Sequence, residues 1–136
     1  MQKKSLLFCV NAGWFFLSHR LPIAIAAAAQ GYDVHVACGI EGPGEVSAIE
    51  SHGFTCHALP AMRGRVSPLV DIASFITIFY LILKLRPTVV HSVTAKPIMM
   101  AGIAARLLRV PRRIAALTGL GYLFTDERRH TVLTRV

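Results

Sequence analysis

Four stretches of this 136-residue chain set polar or charged side chains among apolar ones at spacings that suit chemistry. The first is Asn11-Ala12-Gly13-Trp14-Phe15-Phe16-Leu17-Ser18-His19-Arg20. If the Ala-rich run 21–30 is a helix with Pro22 in its first turn, Ser18 is its cap. Ser18, His19 and Arg20 then stand at a helix N-terminus, where free amides and the dipole attract an anion. Gly13 allows a ligand to approach the backbone closely. The bland alternative is a capping serine with a solvated histidine and arginine. The second stretch is His91-Ser92-Val93-Thr94-Ala95-Lys96-Pro97. Here Thr94 is expected to cap the next helix, with Pro97 near its first positions. Lys96 should project towards the same edge as His19 and Arg20. His91 closes an apolar strand, either as a cleft residue that orients a hydroxyl or as a satisfied core histidine.

The third stretch, Thr118-Gly119-Leu120-Gly121-Tyr122, has two glycines, Gly119 and Gly121, that permit a tight turn near a ligand. The fourth, Ala61-Met62-Arg63-Gly64-Arg65, offers two arginines to a phosphate, or is simply a solvated basic loop. Other chemistries lose support. No G-x-G-x-x-G and no G-x-S-x-G occurs, so the dinucleotide fingerprint and the nucleophile elbow are both missing. Cys9, Cys38 and Cys56 are an odd number without a Cys-x-x-Cys pair, which argues against a disulfide framework and a structural zinc site. They read as buried thiols in a reducing compartment. His35 and His57 read as structural, while His52 and His130 have no chemical context.

These side chains need elements to position them. The punctuation predicts strands at 5–11, 33–38, 55–59, 88–93 and 113–117, and helices at 21–30, 45–52, 68–85 and 96–108. Gly31, Gly53 and Arg86-Pro87 stop helices. Strands alternating with helix-length crossovers predict an α/β fold with an open, doubly wound parallel sheet, Rossmann-like. Ligands of such sheets bind outside the carboxyl ends of the strands. The usual strand order 3-2-1-4-5 brings the first and second stretches together. Residues 1–125 are expected to form this domain, with 126–136 an incomplete C-terminal extension.

The chain is 54% hydrophobic and 16% charged, which excludes disorder. Its net charge of +8 suits an anionic partner: phosphate, a lipid surface or nucleic acid. No zinc-finger spacing or RRM-like aromatic signature favours nucleic acid. No signal peptide is evident, because the apolar run after Lys3-Lys4 is short and Asn11-Ala12-Gly13 breaks it. The helix 68–85 is too short for a span, since twelve residues separate Asp71 from Lys84. It is nonetheless apolar almost all round, so it needs a second cover. Arg63, Arg65, Lys84 and Arg86 would match anionic headgroups there.

Trp14 to Pro22, followed by Gly31-Tyr32-Asp33-Val34-His35-Val36-Ala37, resembles the opening of family 4 glycosyltransferases of bacterial polysaccharide assembly. His91 to Pro97 and Thr118 to Phe124 are similar to two later motifs of that group, in the same order. The resemblance spans residues 5–125. It implies the N-terminal half of a GT-B fold, two Rossmann-like domains across a cleft, with no metal and no cofactor. That half mainly binds the acceptor, often a lipid-linked glycan at the cytoplasmic face of the cell membrane. The other domain holds most of the nucleotide-sugar donor. Many relatives carry a histidine after strand five. This chain has Thr118-Gly119-Leu120-Gly121 there, so that duty does not transfer.

The resulting expectation is the acceptor-binding half of a retaining glycosyltransferase, cytoplasmic and peripheral on the inner membrane face. Gly13, Ser18, His19, Arg20, Thr94, Lys96, Gly119 and Gly121 would bind substrate, with His91 the catalytic candidate. Without a second domain this chain alone is expected to be inactive. Two alternatives stay open: a non-catalytic subunit of a split glycosyltransferase, and a basic nucleic-acid-binding α/β domain.

Overall fold

The computed structural model describes residues 4–60 and 67–117. Arg63, Arg65, Gly119, Gly121 and the extension 126–136 lie outside these described residues. The first strand, β1 (Ser5–Val10), is buried along its whole length. A continuous apolar run of this kind has no face to give to water, so it belongs between two helical layers. It pairs in parallel with β2 (Asp33–Gly39) on one side and β4 (Val89–Val93) on the other. β3 (Thr55–Leu59) and β5 (Arg112–Ala116) are the edges. The order is β3-β2-β1-β4-β5, all parallel, as the alternation of strand and helix predicts. Strand order reverses between β1 and β4, and that is where such sheets open a crevice.

Side-chain alternation divides the core in two. One face carries Phe8, Val10, Val36 and Cys38, covered by Phe16 and Ala24. The opposite face carries Leu7, Cys9, Ala37 and Val90, covered by α4 (Pro68–Leu85) and α5 (Ala95–Leu107) through Ile78, Ile82, Ala101 and Ala105. A fully buried side chain such as Leu7, Phe8 or Ile78 contributes roughly 1.5–3 kcal/mol relative to exposure. Burial also pushes the Cys9 thiol up to about 12, so it behaves as a packed hydrophobe.

The first helical layer departs from the expected boundaries. Helical backbone begins at Gly13, not at residue 21: α1 (Gly13–Phe15) continues through a π-helical turn (Phe16–Arg20) into α2 (Leu21–Ala29). Pro22 has no N–H to give and its ring crowds the preceding turn. The wider π turn immediately before it takes up that mismatch. Ser18 is therefore not a helix cap. Its hydroxyl lies inside the helix and donates to the Phe15 carbonyl at 3.2 Å. At the other end, Gly31 has φ +93°, and the Gly31 and Tyr32 amides close on Ala28 and Ala27. That Schellman closure is the reason a glycine stands there. The short α3 (Glu45–Glu50) lies on the same side.

By length and composition α4 has enough apolar residues to cross a membrane. Ser74, Ile78, Leu81 and Ile82 are nevertheless buried, the last three in the core beneath the sheet, so α4 is a packed helix here. It ends at Arg86 in the left-handed region, followed by Pro87, as the residue order predicts.

Candidate functional site

The carboxyl ends of β1 and β4 meet next to the start of the 13–29 helix and of α5. Asn11 and Thr94 each lie two residues beyond Cys9 and Ser92, the last residues that β1 and β4 pair with each other. Thr94 is the N-terminal residue of α5, with φ +70° and ψ +165°, a region that costs a non-glycine residue of order 1–3 kcal/mol. Backbone bonds hold it there: its N–H donates to Ala116 O at 3.1 Å, and its carbonyl accepts from Ile98 N at 3.0 Å. Thr94 occupies the expected cap position, yet its hydroxyl caps nothing.

Among the described residues, five buried side-chain polar atoms lack a hydrogen-bond partner. Four of them belong to this neighbourhood: Asn11 Oδ1, Arg20 Nε, His91 Nε2 and Thr94 Oγ1. Buried polar groups are normally satisfied, so a cluster of open ones marks a place built for something else to complete. His91 is 5% exposed and its ring lies 5.0 Å from that of Phe8. Burial first, and the positive charge of Arg20 second, push its imidazole down to about 4. At neutral pH His91 is uncharged, able to donate from one ring nitrogen and accept at the other. Arg20 is the permanent cation near it, while Thr94 and Asn11 follow the carboxyl ends of the same two strands. Such a set suits a ligand carrying both hydroxyls and negative charge.

The other expected residues fall elsewhere. His19 is exposed, stacked on Phe15 at 4.3 Å, with Nδ1 2.7 Å from Ser18 Oγ. Neither residue stands at a helix N-terminus. That position, at Gly13, is filled by an internal anion. The Glu45 carboxylate accepts from Trp14 N at 3.0 Å, Glu41 N at 2.7 Å and Gly42 N at 3.0 Å. A Cβ on Gly13 would lie 3.4 Å from that of Glu45 and 3.5 Å from Cys38 Sγ. The close approach that Gly13 permits is therefore taken by Glu45, not left for a ligand.

Lys96 has an acidic partner that the motifs did not reveal. Its Nζ lies 3.0 Å from Asp71 Oδ1, tying the first turns of α5 and α4 together. The strands do bring Lys96 and the 13–29 helix to one edge of the sheet, as expected. Arg20 sits seven residues into that helix, about 10 Å from its start, and reaches down to His91. Two residues that the motifs did not single out matter here. Asn11 was visible as the polar residue ending a buried strand, whereas Glu45 had no local signal. Among the described residues no group of three His, Cys, Asp or Glu side chains is placed to hold a metal ion. Asp33, His35 and His57 form a bonded chain at the amino ends of β2 and β3, away from this edge.

Residues 5–135 match the family model described as glycosyl transferase 4-like. The chain belongs to that family. Solved structures agree on the fold. MurG from Acinetobacter baumannii is 17% identical with a TM-score of 0.64, and the match covers 82% of this chain and 34% of MurG. The glycosyltransferase VinC, solved in complex with dTDP, is 20% identical with a TM-score of 0.59, covering 82% of this chain and 34% of VinC. The glycosyl transferase 4-like chain thus spans about a third of these enzymes. A C-terminal domain of the PF1911 hydrogenase from Pyrococcus furiosus matches equally well by shape, at 15% identity and a TM-score of 0.64, over 86% of this chain and 94% of that domain. Shape at these identities establishes the Rossmann-like fold, and the family match establishes a glycosyltransferase domain. No curated protein matches the chain.

Proposed function

We propose that this glycosyltransferase domain is the acceptor-binding half of a retaining enzyme, which moves a sugar from a nucleotide-sugar to a lipid-linked glycan. The observation that carries this reading is the pair Arg20 and His91, both with a buried ring or guanidinium nitrogen lacking a partner, in the crevice beside β1 and β4. In it, Arg20 binds a phosphate of the acceptor. Neutral His91 is the catalytic residue, orienting the acceptor hydroxyl that attacks the anomeric carbon. The bond from that carbon to the nucleotide diphosphate breaks, the new glycosidic bond forms with the same configuration, and the hydroxyl proton leaves on the departing diphosphate. Thr94 and Asn11 hold the acceptor sugar by its hydroxyls. The donor contacts, those to its diphosphate included, fall to a second domain of the kind that the resemblance implies.

Steady-state kinetics of the complete enzyme test the assignment. Arg20→Ala and His91→Ala should raise KM for the acceptor or lower kcat, while leaving the KM for the nucleotide-sugar near that of the parent. A selective rise in the donor KM would move the domain to the donor side.

A further inference from the structure

Among the described residues three non-glycines have positive φ, and two of them are arginines that end neighbouring helices. Arg86 follows α4 with φ +46° and ψ +59°, its N–H closing on Ile82 O at 2.9 Å. Arg109 follows α5 with φ +57°, and the next amide, of Val110, closes on Ala105 O at 2.9 Å. Glycine is the ordinary residue at such a position, because a Cβ is strained there. The chain uses glycine after α2 and α3, at Gly31 and Gly53. Helix electrostatics does not explain the exception. Lys84 and Arg106 already place a cation in each last turn, on helical backbone. Strain kept twice at a long charged residue points to a use for its side chain.

Both arginines line one pocket of about 390 Å³, whose apolar part comes from Ile82, Leu83, Leu108 and Val110. A concavity of that size takes a small molecule. It lies where α4 leads into β4 and α5 into β5, at the amino ends of those strands. Every charged residue between Ile72 and Leu117 is a lysine or an arginine. Among the described residues neither Arg86 nor Arg109 has an acidic partner. A guanidinium presents a planar fork of donors that matches a phosphate. We propose that this pocket binds a small soluble phosphate ester, its phosphoryl group held by Arg86 and Arg109 and its carbon body on the apolar floor. The carboxyl ends of α4 and α5 oppose an anion, but each carries only about half a charge. Two guanidiniums, with Lys84 and Arg106 close behind, outweigh them. The crevice with Arg20 and His91 is at the other end of the strands, so this ligand does not compete with the acceptor. The proposal stands independently of the transferase reading.

The test is calorimetric titration of the full chain with inorganic phosphate and with phenyl phosphate. Both should bind, phenyl phosphate at least threefold more tightly because its ring covers the apolar floor, and phenol should not bind. Arg86→Gly and Arg109→Gly each remove a fork and suit the backbone they leave. Each should weaken binding of phenyl phosphate at least tenfold, with a urea midpoint equal to or above that of the parent. Arg106→Ala removes the same charge from outside the pocket and should weaken binding less than threefold. Equal losses in Arg106→Ala and Arg86→Gly would reduce the effect to diffuse attraction and overturn the proposal. Lower urea midpoints in both glycine variants, with binding retained, would overturn it by giving the arginines to the fold. No binding of either phosphate overturns it outright. If phosphatidylglycerol vesicles capture the chain through Arg86 while soluble phosphates do not bind, a lipid headgroup replaces the soluble ester and the proposal fails.

Discussion

Lys96 Nζ stands 3.0 Å from Asp71 Oδ1, so a cation that the residue order aims at the crevice joins the first turns of α4 and α5. Both side chains are about one-third exposed, at 35% and 31%, and solvent screens the pair accordingly. A double-mutant cycle of Lys96→Ala and Asp71→Ala in urea unfolding should give a coupling of about 0.5–1 kcal/mol. Zero coupling would mean the pair adds nothing to the packing of the two helices. In the complete enzyme, Lys96→Ala should cost less kcat/KM than Arg20→Ala.

His91 makes stability depend on pH. Its folded pKa of about 4 lies below the ordinary 6.5, so the unfolded chain binds the proton more readily. The fold therefore loses stability as pH drops from 6.5 towards 4, and loses no more from this group below that. The full effect is about 3 kcal/mol. Urea midpoints across that window should fall for the parent and fall less for His91→Phe, whose ring keeps the contact with Phe8. Parallel pH profiles for the two proteins would contradict the assigned cause. Arg20→Ala should move the His91 titration upward in an NMR experiment, because a like charge has been removed, while burial still keeps it below 6.5.

Thr94 is held in a backbone region suited to glycine. Thr94→Gly should raise unfolding free energy by about 1 kcal/mol, since the strain disappears and the uncapped hydroxyl gave nothing to the helix. The same change should lower transfer in the complete enzyme by removing a ligand contact. Thermal denaturation checks the first half and kinetics the second. A destabilised Thr94→Gly would show that the hydroxyl has a structural partner after all.

Strand order and most helix limits were legible in the residues because their signals are local. β3 and α4 have the expected limits, and Gly31, Gly53 and Arg86 each end a helix where expected. The first helix was misjudged for a local reason as well: Pro22 marks a first turn unless the preceding turn widens, which it does. The candidate site was legible only in part. Arg20 and His91 were identified by type and by their place beside strand ends. The partners that redirect Gly13 and Lys96 were not, because Glu45 and Asp71 lie 31 and 25 residues from Trp14 and Lys96, the groups they bond. No periodicity encodes a contact between two loops or two helix starts.

The most direct test of the central claim is acceptor kinetics of Arg20→Ala in the complete enzyme. Loss of one charge-assisted contact costs about 1.5–3 kcal/mol, or roughly one to two decades. The account predicts at least a tenfold drop in kcat/KM for the lipid-linked acceptor, an unchanged donor KM, and a fold retained by circular dichroism. His52→Ala, an exposed residue at the end of α3, should match the parent. An Arg20→Ala enzyme with parental kcat/KM for the acceptor would contradict the account, because the buried Arg20 Nε would then serve the fold and not the substrate.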